Sequence, residues 1–454
     1  MFRYAALAVF AAAGAFLSAS NTEAKPIAFT GVRLIDGQAA RPIEDAVLVI
    51  DGERIVAAGP RATVMVPPDA EIRDQRGRTI LPGLISNHSH VGIVKGLTVG
   101  PENYTRDNIH AQLKAYSDHG VTTVMALGLN GGLLPELRTA AHAGAIPGAD
   151  LFGVDRGIGV TGGQPPDAAI HMGPEQILRP ATAEEGREAV RTMKARGTDM
   201  VKLWLDDVGG TLPGKLQPAV YTAAIDEAHR LGLRVAAHVH DLEDARAVVK
   251  AGADVLAHGV RDKPVDPDFI ALLKARNTWY VPTLALDEAT VAYAEKAPWT
   301  QTPFVRAALS PELKARFDDA AWQRETRASA KAQAARDSLA MNLANLKILS
   351  DAGVRIGFGA DSGATPKRVP GVAEHRELAL MVQAGLTPVR SLTIATAQAA
   401  ELLGLADRGR LEAGRRADLL ILAADPADDI ANTARIAEVW RMGRPQAVAS
   451  ATAP

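Results

Sequence analysis

Apolar residues along this chain recur with two different periods, and the change of period divides it. From 26 to 80, short β-prone runs dominate: Ile27-Ala28-Phe29, Val32-Arg33-Leu34-Ile35, Ala46-Val47-Leu48-Val49-Ile50 and Arg54-Ile55-Val56-Ala57-Ala58. Asp51-Gly52 between the last two is a strong hairpin signal, because both residues tolerate the backbone angles of a two-residue turn. The far end of the chain repeats the pattern, with strands expected at 417–422 and 436–441 and turns at Gly414 and Gly443. Chain termini often lie close together in a folded domain, so these two segments are expected to build one small composite β-sandwich.

Between them, apolar runs alternate with helical patterns. Eight candidate strands fall at 80–90, 121–127, 151–157, 200–205, 234–240, 255–259, 279–286 and 355–361. Amphipathic runs follow several of them, as from Pro218 to Leu231. Alternating β and α units over this length predict an α/β fold, a (β/α)8 TIM barrel. The expected division is a leader at 1–24, sandwich strands at 25–80, the barrel at 81–407 and the remaining sandwich strands at 408–454. The connection from 287 to 350 is rich in Ala, Arg, Lys and Glu. It reads as two or three helices on the outer wall, with a lid over the barrel mouth as the alternative.

The first 24 residues change the picture of location. Arg3 precedes an apolar stretch, 4–17, that is too short to span a bilayer as a helix. Small residues follow, and Thr22-Glu23-Ala24 offers a cleavage site, with Ser18-Ala19-Ser20 as a rival. A signal peptide is expected, and with it a secreted or periplasmic protein free of the membrane after processing. The net charge of −2 gives no reason to expect a nucleic-acid partner. The chain has no cysteine, which excludes disulfides, thiolate nucleophiles and sulfur metal ligands. Any bound metal must be held by nitrogen and oxygen.

Candidate chemistry gathers at the strand ends. Residues 80–85 are apolar and lead into His88-Ser89-His90, where two imidazoles two residues apart share one face of a strand. In a (β/α)8 barrel, catalytic groups sit at the C-terminal ends of the strands. Lys202, His238 with His240, His258 and Asp361 all fall there. Five of the chain's 11 histidines occupy three such ends, which chance placement does not produce. Blander readings exist: Lys202 as a lysine reaching solvent or pairing with Asp206 or Asp207, and Asp361 as a helix cap. Gly162 and Gly163 are candidates to offer backbone N–H groups to a substrate. Arg156 and Arg261 are candidates to bind a substrate carboxylate through their planar forks. His240 shares a face with His238 and is a candidate substrate contact, and His171 lies in a loop that can reach the mouth. His110, His119, His142, His229 and His375 read as packing or surface residues.

Specific motifs join these positions. They are Pro82-Gly83-Leu84-Ile85 before His88 and His90, Gly120-Val121-Thr122-Thr123-Val124, Thr161-Gly162-Gly163, Asp199-Met200-Val201-Lys202, Ala237-His238, Ala257-His258-Gly259, Gly359-Ala360-Asp361, and the tail from Gly409 to Leu419. Together they resemble the metal-dependent amidohydrolase superfamily, in its imidazolonepropionase-like and secreted Xaa-Pro-type dipeptidase branch. The resemblance implies a barrel with a composite sandwich and two divalent metal ions, for which Zn suits an all-N/O site and Mn, Co or Fe also fit. It implies that His88, His90 and Asp361 hold one metal, that His238 and His258 hold the other, and that Lys202, carboxylated by CO2, bridges them. It implies attack by a metal-bridging hydroxide, with Asp361 passing the proton to the leaving nitrogen. One departure is Ser86, where the family often has Asp; that position is not a ligand. The activity expected is hydrolysis of a C–N amide bond in a small peptide or N-acyl amino acid, by a homo-oligomer. The alternatives are a one-metal cyclic amidase of the imidazolonepropionase type, against which Lys202 argues, and a non-catalytic binding relative.

Overall fold

The computed structural model describes residues 25–165, 170 and 172–447. The expected leader and its cleavage site lie outside the described residues, as does His171.

Eight short parallel strands form the core: β1 Leu84–Ser89, β2 Val121–Leu127, β3 Asp150–Val154, β4 Val201–Trp204, β5 Val235–His238, β6 Val255–Ala257, β7 Trp279–Val281 and β8 Arg355–Ile356. All seven residues of β2 and all four of β4 are buried, as both faces of a sheet between side-chain layers and helices must be. β1, β2 and β3 pair in one sheet and β4 through β8 in a second. A parallel bridge from Ile158 to Leu203 joins the sheets at one seam, and a bridge from Ser89 to Ser362 joins them at the other. Pairing therefore runs from each strand to the next and returns to β1, which is the order a (β/α)8 barrel requires.

Helices intervene where capping residues start them. Ala183–Ala195 begins at Thr182, whose side chain accepts from the Glu185 N–H while Glu185 reaches back, a reciprocal capping box. The amphipathic run after β4 forms Pro218–Arg230 as expected.

The strands at the two ends of the chain meet in one sheet. Thr79–Pro82 runs antiparallel to Leu419–Leu422 and parallel to Ile27–Leu34. Side chains alternate across Leu419–Leu422: Leu419 and Ile421 pack in the small apolar cluster with Trp440, while Leu420 and Leu422 join the large core around the parallel strands. The sheet curls so that the Phe29 ring meets the Trp440 ring edge-on at 5.2 Å. The Asp51-Gly52 hairpin forms, with Asp51 opposite Arg54.

Two expectations are corrected here. Residues 80–90 are not one strand. The chain leaves the small sheet at Pro82 and enters β1 at Leu84. At Gly83 the backbone passes so near Thr122 that a Cβ would sit 2.2 Å from its Oγ1. The 287–350 connection holds more and shorter helices than expected: Ala292–Glu295, Pro303–Ala308, Pro311–Asp318, Ala320–Ala328 and Ala330–Asp351. Thr302, Ser310, Asp319 and Ser329 each accept a backbone N–H at the start of a helix, so each cap restarts the chain in a new direction. These helices carry their own apolar cluster, in which Tyr293 stacks on Phe317 at 4.0 Å.

Candidate metal centre and active site

The C-terminal ends of β1, β4, β5, β6 and β8 bring six side chains together. Strand β1 delivers His88 and His90. The β8 end is fixed against it by hydrogen bonds: the Asn87 N–H donates to the Phe358 carbonyl at 2.6 Å, Asp361 to His88 at 3.0 Å and His90 to Ser362 at 2.7 Å. This close approach needs glycine, since a Cβ at Gly359 would lie 2.6 Å from the His88 nitrogen. Asp361 itself has φ +53, an unusual conformation for aspartate that the surrounding bonds hold in place.

One carboxylate oxygen of Asp361 faces both β1 histidines, 3.3 Å from Nε2 of His88 and 3.0 Å from Nε2 of His90. The His90 ring uses Nδ1 on the Gly128 carbonyl at 3.2 Å. His258 uses Nδ1 on the Thr283 hydroxyl at 2.8 Å, and that hydroxyl donates in turn to the Pro282 carbonyl. The hydroxyl must then accept from His258, which leaves Nε2 as the lone-pair nitrogen. The rings of His88 and His258 lie 4.6 Å apart and those of His238 and His258 4.4 Å apart.

Burial holds these imidazoles neutral. His88 is lowered to about 3, by burial first and by Lys202 next. His238 and His258 are likewise held well below the usual histidine value, chiefly by burial. Both ring nitrogens of His88 and both of His238 are buried without a hydrogen bond. Buried polar atoms left unpaired are costly, and neutral imidazoles with free lone pairs are metal ligands. His88, His258 and Asp361 each offer a buried ligand atom within 4.8 Å of the others. The residues present fit a divalent cation.

Lys202 is fully buried at the centre of this group. Its amine donates to the Ala257 carbonyl at 3.4 Å and lies over the Trp204 ring at 5.5 Å, and burial lowers it to about 7 against the pull of Asp361 and Asp206. It neither reaches solvent nor pairs with Asp207.

The family profile for amidohydrolases matches residues 79–448. The chain belongs to the amidohydrolase family. Among its curated relatives, ochratoxinase of Aspergillus niger is 25% identical over 468 residues, covering 94% of this chain and 88% of that one. Imidazolonepropionase of Deinococcus radiodurans is 25% identical over 414 residues, covering 88% and 92%. A solved Xaa-Pro dipeptidase with methionine bound in its active site superposes with a TM-score of 0.74 at 23% identity, covering 93% of this chain and 99% of that one. The protein is an enzyme of C–N bond hydrolysis, and amidohydrolases generally use divalent metals.

The amidohydrolase centre opens into a cavity of about 970 Å3. Its inner end is lined by His88, His90, His238, His258 and Asp361, and its walls include His240, Arg261, Trp204 and Leu286. Arg316, Phe317, Trp322 and several residues from 330 to 338 also line it, so the 287–350 connection walls the mouth and is not confined to the outer surface.

Three expected substrate contacts are placed elsewhere. Arg156 is buried and bonded to Asp155 at 3.1 Å, beside Arg196, and does not line the cavity. Gly162 and Gly163 pack against Pro213 and Gly214, and the Gly163 N–H is taken by the Val160 carbonyl at 3.1 Å. Their neighbours Gln164 and Pro165 line the cavity instead. Arg261 does line it, paired to Asp287 at 3.3 Å, and His240 lines it with Nδ1 on Asp241 at 2.6 Å.

Arg368 was not singled out from the sequence, and Asp206 only as a possible partner of Lys202. Arg368 is buried and donates to the second oxygen of Asp361. Burial alone would raise the Asp361 carboxyl, but Arg368 and then His88 hold it well below the usual carboxylate range. Asp206 is fully buried, with Oδ2 3.3 Å from Nε2 of His238. It stands two and four residues after Trp204 and Lys202, so it shares their strand face, a period-two signal present in the sequence. Ser86, at the departure from the family pattern, donates to Glu374 at 3.1 Å, a carboxyl that burial pushes up to about 7.

Proposed function

We propose that this chain is a binuclear metal-dependent hydrolase built on a (β/α)8 barrel, and that it cleaves the amide bond of a dipeptide or an N-acyl amino acid. The observation that carries the reading is Lys202: a fully buried amine among unpaired imidazoles, without a carboxylate bonded to it. A buried ammonium so placed is unfavourable. A lysine lowered to about 7 holds a substantial share of free amine near neutral pH, the form that adds CO2 to give an anionic carbamate with two oxygen donors.

In this reading His88, His90 and Asp361 would hold one ion and His238 and His258 the second, and carboxylated Lys202 would add oxygen donors to the site. An all-N/O donor set suits Zn. Bound there, the ions supply Lewis-acid polarisation and water of lowered pKa. The chain's own groups do the rest. Buried imidazoles stay neutral and keep their lone pairs. Asp361 accepts the proton of the attacking water and returns it to the leaving nitrogen, with Arg368 keeping the carboxylate ionised and in place until then. Trp204, Leu129 and Leu286 line an apolar space beside the reacting bond.

Export is part of the proposal, on the charge and apolar pattern of residues 3–24. N-terminal sequencing of the exported protein is expected to begin near Lys25. Turnover of dipeptide and N-acyl amino acid libraries by metal-replete enzyme tests the activity. Turnover of cyclic amides alone, with one metal per chain, would favour the mononuclear alternative.

A further inference from the structure

The cavity's lining holds more positive charge than its own carboxylates neutralise. Five cations line the cavity: Arg261, Arg316, Lys331, Lys367 and Arg368. Two of them are engaged, Arg261 with Asp287 and Arg368 with Asp361. Those are the cavity's only two lining carboxylates among the described residues, so both acids are already in use. Arg316, Lys331 and Lys367 have no acidic partner within 4 Å among the described residues.

Arg316 and Lys331 are exposed on the inserted helices, and Lys367 is the more enclosed of the three. Lys367 is half-buried, donates to the Thr290 carbonyl at 3.1 Å and lies over the Trp322 ring at 5.6 Å. Its ammonium is held below the usual lysine value by burial first, then by Lys331 and Arg368. Like charges gathered beside a low-dielectric wall repel one another, and elsewhere this chain pairs its arginines and lysines repeatedly. Here an anion is the missing partner. Phe317 and Trp322 line the same cavity, Trp322 beneath the Lys367 ammonium.

We propose that Lys331 and Lys367, assisted by Arg316, form a carboxylate subsite, so that the substrate is an amide bearing a carboxylate and an apolar body that lies along Phe317 and Trp322. The proposal rests on the hydrolase reading above and specifies its substrate. It moves carboxylate recognition from Arg156, which is locked to Asp155, to the helices inserted after β7 and the loop after β8. The insertion then has a role beyond walling the mouth: it supplies Lys331 and Arg316 to the substrate.

Two arms test it. In the first, metal-loaded wild type and Lys331→Met/Lys367→Met are compared on N-benzoyl-leucine and N-benzoyl-leucinamide. Wild type is expected to favour the free acid in kcat/KM by at least about tenfold, the effect of a charge-assisted contact, and the ratio should fall below about threefold in the double variant. Lys331→Glu/Lys367→Glu should reverse the preference toward an amide carrying a C-terminal aminoalkyl group. Equal turnover of acid and amide by wild type, or an acid preference that survives the double variant, would overturn the subsite while leaving the hydrolase reading intact. In the second arm, calorimetry follows binding of 4-phenylbutyrate and 4-phenylbutyramide. Binding of the acid that weakens at least about tenfold in the double variant supports the subsite even if neither benzoyl compound is hydrolysed, an outcome that would count against the hydrolase reading alone. Equal binding of acid and amide would count against the subsite.

Discussion

Oδ2 of Asp206 faces Nε2 of His238 at 3.3 Å, and neither atom has a hydrogen-bond partner among the described residues. A carboxylate in that place fixes the tautomer, drawing the proton to Nε2 and freeing Nδ1 for a metal. Asp206→Ala is therefore expected to weaken metal affinity by about 10–100-fold, measured by competition with a chelator. Asp206→Asn, which keeps an acceptor oxygen, should fall between. Unchanged metal retention in Asp206→Ala would show that the pair does not orient His238.

Asp361 has one oxygen toward the histidines and the other on Arg368. Asp361→Asn keeps an oxygen but loses the base. Its kcat is expected to fall by at least about 10²-fold, with much of the metal retained. Near wild-type turnover in the metal-loaded variant would remove Asp361 from proton transfer.

Glu377 is buried and accepts from the N–H groups of Leu284 and Ala285 at 2.9 and 2.8 Å. Burial pushes it up to about 8 from the ordinary glutamate value. The folded state thus holds a proton that the unfolded state releases near pH 4.5, so this contribution to stability is full below that pH and is lost as pH rises through about 8. Metal-saturated protein should melt a few degrees lower at pH 8.5 than at pH 6, and Glu377→Gln should flatten the difference. A melting temperature that rises over this interval in wild type would contradict the assignment.

Arg156 pairs with Asp155, which also holds Arg196 at 2.8 Å. Arg156→Ala should destabilise the fold by about 1–3 kcal/mol in denaturant unfolding. The ratio of acid to amide turnover should stay as in wild type. Loss of that preference would return Arg156 to the substrate.

The sequence made the strand-end chemistry readable because a barrel strand displays it with period two. His88 and His90 share a face, and so do Lys202, Trp204 and Asp206. Asp206 was read only as a possible partner of Lys202, because an acid just beyond a strand also suits an exposed rim, and burial is not written in the local sequence. Arg368 had no local signal at all: it reaches Asp361 because the Gly363 N–H bonds to the Arg368 carbonyl at 2.8 Å and closes the loop between them. Arg156 was misplaced for the converse reason, since Asp155 beside it and Arg196 far along the chain turn its side chain from the cavity. The inserted helices were undercounted although Thr302, Ser310, Asp319 and Ser329 announce their starts; a high alanine and charge content masked the breaks. Gly83 shows the same limit, because its need arises from Thr122 on the next strand.

Buried Lys202, as a carbamate, is proposed to join two metal ions that the histidines and Asp361 would hold. Metal content per chain, measured beside turnover in wild type and Lys202→Ala, tests it most directly. About two metals per chain are expected in wild type, with metal and activity lost together in the variant and partly restored by a short carboxylic acid. A Lys202→Ala protein that keeps two metals and full activity would contradict the account.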